Sequence, residues 1–149
     1  MRVSSNGLRV LIVVWALALA AFCLASLGCG GAAPAPSGTV VAVNEADFQI
    51  AAPTHLRAGE YALRVRTEGP TEHELIVARL SGSSLPMRHD GLTVDEEALQ
   101  GLEPGSLDPA PAGSVRYLQV HLAPGRYVLF CNMEGHYMAG MRHELVVTS

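Results

Sequence analysis

The sequence predicts an all-β domain, a Greek-key β-sandwich of about seven to eight strands. Three observations predict it. From residue 39 onward the chain is a series of short β-branched or alternating apolar runs, Gly, Pro, Asn or Asp breaks separate them, and the 149 residues leave room for one core plus a leader. Aromatics are scarce and the only Trp, Trp15, lies in the leader, so valine and leucine must build the interior.

The first run, residues 39–43, is β-branched, and residues 48–50 continue it after the polar pair Asn44-Glu45. Residues 61–66 alternate, which puts Tyr61, Leu63 and Val65 on the core face and Arg64 and Arg66 in water. After the Gly69-Pro70 break, residues 73–78 form a strand entered at its histidine. Residues 115–122 place Leu118, Val120 and Leu122 on one face, and Pro124-Gly125 turns the chain into 127–131. A last strand covers about 141–148. Residues 81–113 break the rhythm: four prolines and a helical turn at 94–99 read as one long loop, with Asp95, Glu96 and Glu97 a solvated first turn.

Residues 1–28 read as a signal peptide or an N-terminal membrane anchor, with Arg2 and Arg9 ahead of the apolar run 10–27. The Gly28-Cys29 junction resembles a bacterial lipobox, in which the cysteine is acylated. Residues 29–38, rich in Gly, Ala and Pro, form a linker that buries too little surface to fold. The folded domain is then 39–149, held outside the cytoplasm by a lipid on Cys29 or by an uncleaved helix. It carries eight arginines against fourteen acidic residues, a formal charge of −6, which argues against nucleic acid as a partner.

Of the three cysteines, Cys23 and Cys29 belong to the leader, so Cys131 has no disulfide partner in the domain. Its surroundings explain it. Cys131-Asn-Met-Glu-Gly-His136-Tyr-Met-Ala-Gly-Met141 has the spacing C-x4-H-x4-M between two strands. Thiolate, imidazole and thioether form a soft donor set suited to copper. Gly135 and Gly140 let the segment fold back so that its side chains converge. The second histidine of a His2Cys site comes from His73, which shares parity with the apolar Leu75 and Val77 at a strand entrance.

The segment CNMEGHYMAGM, with the upstream EHELIV, resembles the copper loops of the cupredoxins, and its spacing is closest to the rusticyanin and sulfocyanin branch. The resemblance covers roughly 39–149. It implies one type 1 (blue) copper ion held by ring nitrogens of His73 and His136, the Cys131 thiolate and an axial Met141, in a protein that carries single electrons and is not an enzyme. It also implies that His136 is the electron port, rimmed by Tyr137, Met138 and Ala139. Cytochromes or a terminal oxidase are the candidate redox partners of a monomeric domain. Two positions depart from many relatives: Glu74 stands where Asn follows the first histidine and is expected to face outward, and Glu134 replaces Pro before the Gly-His pair. Asn132 is the residue expected to tie the loop to the upstream strand. His143 is expected at the core or an edge, and His121 in solvent.

The alternative function is copper trafficking or storage through the same ligands, with Met133 and Met138 recruiting Cu(I). A nitrite reductase or multicopper oxidase would need further histidine clusters, and a purple binuclear centre a second loop cysteine; the sequence has neither.

Overall fold

The computed structural model describes residues 36–149; the leader, Cys29 and most of the linker lie outside the described residues. In order, the strands are β1 (Thr39–Ala46), β2 (Gln49–Ala51), β3 (His55–Arg57), β4 (Gly59–Thr67), β5 (His73–Arg79), β6 (Gly105–Ala110), β7 (Val115–Leu122), β8 (Gly125–Phe130) and β9 (Arg142–Thr148). They form two sheets, β2-β1-β4-β7 and β3-β9-β8-β5-β6, with β1 parallel to β4 and β3 parallel to β9. The all-β sandwich is therefore present, with more strands than the sequence suggested.

Alternation explains the packing between the sheets. Tyr61, Leu63 and Val65 of β4 are buried there beside Leu118, Val120 and Leu122 of β7, while Arg66 is exposed and Arg64 half-buried. Sheet two is different, because β5 and β8 bury both faces. Ile76, Ala78, Val128 and Phe130 point away from the first core into a second one, closed by Leu85, Val94 and Leu99. Each such fully buried leucine or phenylalanine stabilises by about 1.5–3 kcal/mol.

Two expectations are corrected here. The segment 81–113 is no loose loop: it covers the outer face of sheet two, holds a single 3-10 turn at Glu97–Leu99, and ends in β6. Strand β6 pairs only with β5, and Pro109 is tolerated because an edge strand has one side free of ladder bonds. Residues 48–50 do not continue β1. The chain reverses at Asp47-Phe48, and β2 folds back antiparallel, with Ala46 opposite Gln49. Phe48 sits at φ 61, a left-handed conformation that costs a β-carbon residue about 1–2 kcal/mol.

One polar cluster lies within this apolar interior. Glu45 of β1 is fully buried; its Oε2 accepts from Thr67 Oγ1 (3.3 Å) and Arg116 (3.4 Å), and its Oε1 has no partner. Arg116 projects from β7 to sheet two, donating to the carbonyls of His73 (3.2 Å) and Asp108. A single guanidinium thus bridges the two sheets next to the start of β5.

Candidate metal centre

The antiparallel pairing of β5 with β8 puts the first residues of β5 beside the end of β8, with Ile76 opposite Phe130. His73 opens β5 and Cys131 follows β8, so the topology brings both to one end of the sandwich. Both are fully buried. Strand alternation sends Cys131 inward with Leu129 and Phe130 outward, which separates sulfur chemistry from the second core.

Residues 131–141 close the β8–β9 hairpin. At its base the Cys131 amide donates to the Met141 carbonyl (3.2 Å), and within it His136 N–H reaches Met133 O (2.9 Å), Ala139 N–H reaches Gly135 O (2.9 Å) and Met141 N–H reaches His136 O (3.0 Å). Gly135 at φ 80 and Gly140 at φ 107 supply the left-handed turns these bonds require. The result places His136 Nδ1 3.4 Å from Cys131 Sγ. One donor atom each from His73, Cys131 and His136 lies within 4.8 Å of the others. Met141 is fully buried and belongs to the same apolar cluster as Cys131.

The electrostatics suit a soft cation. Burial pushes the Cys131 thiol up to about 11, although the backbone amides of Glu74 and Met133 hydrogen-bond the sulfur and pull the other way. Burial likewise lowers the His73 imidazole, partly offset by its hydrogen bond to Asp47, so the ring is neutral near pH 7. His73 Nε2 lies 3.1 Å from Asp47 Oδ1, an oxygen that also accepts from the Thr71 hydroxyl at 2.6 Å. The Thr71 hydroxyl, and then His73, hold the Asp47 carboxyl below the usual carboxylate range against a push from burial. His73 Nδ1, by contrast, is buried without any partner. A buried ring nitrogen without a partner, on a histidine clustered with a thiol and a second imidazole, is a group that a metal ion would satisfy, and the donor set fits copper.

The remaining expectations divide. Glu74 does not simply face outward: its Oε1 accepts from the Asn132 amide at 2.9 Å, and burial raises its carboxyl. It ties the cysteine loop to β5. The Asn132 side chain binds elsewhere, with Oδ1 accepting from Val94 N–H (2.6 Å) and Nδ2 donating to Val94 O (3.0 Å) and Glu96 Oε1 (2.7 Å). Glu96 is therefore not merely solvated. Tyr137 is not on the rim but buried, its ring edge-on to Phe130 at 5.5 Å and under the Arg142 guanidinium at 5.0 Å. His121 is exposed and pairs with Glu60 (2.7 Å); half-buried His143 reaches the Pro53 carbonyl (3.2 Å). Sequence reasoning missed Asp47, Thr71 and Phe48. Phe48 stands edge-on to His136 with ring centroids 5.5 Å apart. Only Thr71, two residues before His73, carried any local signal; Asp47 is 26 residues away.

No family model and no curated protein matches the chain. Solved structures do. Dithionite-reduced auracyanin from Roseiflexus castenholzii aligns at 15% identity over 76% of this chain and 99% of its own, with a TM-score of 0.57. Auracyanin B aligns at 21% identity over 79% and 94%, with a TM-score of 0.58. Rusticyanin from Thiobacillus ferrooxidans aligns at 16% identity over 75% and 79%, with a TM-score of 0.54. Two sheets with this strand order, and likeness to these proteins over nearly all of the described residues, establish that the domain has the cupredoxin fold.

Proposed function

We propose that the chain is an extracytoplasmic type 1 copper protein that carries single electrons between protein partners, with His73, Cys131, His136 and Met141 as ligands. The observation that carries this reading is the convergence of a His73 ring nitrogen, Cys131 Sγ and a His136 ring nitrogen within 4.8 Å of one another, together with a His73 Nδ1 that is buried and unpaired. Copper supplies a one-electron couple between Cu(II) and Cu(I). The chain supplies constraint. The hairpin bonds of 131–141, the Glu74 contact and the Asn132 side chain hold the donors in one arrangement, which keeps movement between oxidation states small. The test is to add Cu(II) to the full chain and record the visible spectrum and a voltammogram. An intense thiolate-to-copper band with a reversible couple is expected; Cu(I) binding without either would favour storage.

His136 is the electron port in this reading. It is half-buried, and beside it lie Phe48 (52% exposed) and Met138 (56% exposed), with exposed Ala139 completing an apolar rim. Phe48 holds its left-handed backbone conformation with its ring edge-on to His136. Met138→Asp puts a charge on this rim and is expected to slow electron exchange with an apolar-faced partner about tenfold, at an unchanged spectrum. Equal rates in stopped-flow exchange would move the port elsewhere. The leader reading, export with a lipid on Cys29 or a retained helix, places the domain at a membrane outside the cytoplasm.

A further inference from the structure

The reversal between β1 and β2 is two residues long, and both residues meet the candidate ligands: Asp47 contacts His73 and Phe48 contacts His136. We propose that Asp47 is a positioning residue for His73, fixing the imidazole with its proton on Nε2 so that Nδ1 is free for the ion, and biasing the bound ion toward Cu(II). The inference rests on the copper reading above for its second part only.

The geometry leaves one assignment of the proton. A carboxylate can only accept, and Asp47 Oδ1 already accepts from Thr71 at 2.6 Å, so the contact at 3.1 Å requires Nε2–H. The other nitrogen, Nδ1, then carries the lone pair and is the buried atom without a partner. Asp47 is itself placed by the chain around it. Thr71 fixes its oxygen, and Gly69, at φ 92, leaves a gap that a β-carbon would narrow to 3.1 Å from Oδ1. A carboxylate behind a ligating imidazole raises the basicity of the ring. It also places a negative charge near the ion, which stabilises the doubly charged state more than the singly charged one.

Two variants separate position from charge. Asp47→Asn keeps an accepting oxygen and removes the charge; Asp47→Ala removes both. In the metal-free chain, long-range ¹H–¹⁵N spectra should show Nε2–H for His73 in the wild type and Asp47→Asn, and a second tautomer in Asp47→Ala. In the copper-loaded chain, Asp47→Asn should shift the Cu(II)-over-Cu(I) preference about tenfold toward Cu(I), a rise of about 59 mV for one electron, at an unchanged thiolate band. Nδ1–H in the wild type, an unaltered tautomer in Asp47→Ala, or a shift in Asp47→Asn below about threefold would overturn the inference. A wild-type chain that shows the Nε2–H tautomer yet gives no thiolate band with Cu(II) overturns the copper reading and the bias toward Cu(II), and upholds the positioning.

Discussion

Cys131→Ser is expected to abolish the visible thiolate-to-copper band and to lower Cu(II) affinity by more than about 100-fold, beyond what losing an outer partner of a ligand costs. The reason is chemical rather than steric. Serine is close in volume, but its hydroxyl is a hard, reluctantly ionised donor where copper favours a soft thiolate. Proton release provides an independent readout. Because burial holds the Cys131 thiol near about 11, the metal-free site is protonated at pH 7, and a metal must displace that proton. Copper uptake in weakly buffered solution should release about one proton per ion from the wild type, His73 being already neutral, and essentially none from the variant. A band that survived in Cys131→Ser would remove the thiolate from the site altogether.

Glu45→Gln is expected to change how stability depends on pH. Burial raises the Glu45 carboxyl to about 7, while Arg116 and Thr67 pull it down and Glu74 adds a push upward. Its value in the folded state lies above the ordinary 4.5, so over that interval the folded chain binds more protons than the unfolded one. The contribution is fully present below about 4.5 and is lost as pH rises through about 7, the reverse of an ordinary paired carboxylate. The interval corresponds to on the order of 3 kcal/mol. Urea unfolding at pH 5 and pH 8 should therefore show the wild type weakening by an amount of that order relative to Glu45→Gln. Parallel pH profiles would mean that Arg116 neutralises Glu45 in full.

Much of this was legible because half-buried strands advertise themselves. Alternation in 61–66 and 115–122 gave the inner faces of β4 and β7, and the entrance of β5 at His73 was read to the residue, while β8 begins two residues earlier and ends one residue earlier than the 127–131 expected. The convergence of Cys131 and His136 was legible because soft donors and two glycines lie within eleven residues of chain. What escaped depends on contacts between distant segments. Strand β6 is a six-residue edge with a proline and a shifted register against β5, so no internal pattern marks it. Tyr137 reads as a polar-tipped loop residue, yet Phe130 and Arg142 provide a place to bury its ring. Phe48 occupies a backbone conformation that ordinarily selects glycine or asparagine, and a phenylalanine there signals a strand instead. Glu74 was placed by alternation alone, which cannot reveal that the amide of Asn132 lies within reach of its carboxylate.

The second core sets a limit on how far the domain can be shortened. Residues 81–104 resemble a removable insertion, but Leu85, Val94 and Leu99, with Met87 packed against them, cover Ile76, Ala78 and Val128 on the outer face of sheet two. Trimming it would bare an apolar strip on two central strands, and such a strip invites self-association. It would also release Asn132, whose side chain is anchored to Val94. A minimal version of this protein would therefore lose solubility and loop order together, and the dispensable residues are to be sought at the exposed tip around Gly82 and Ser83 instead.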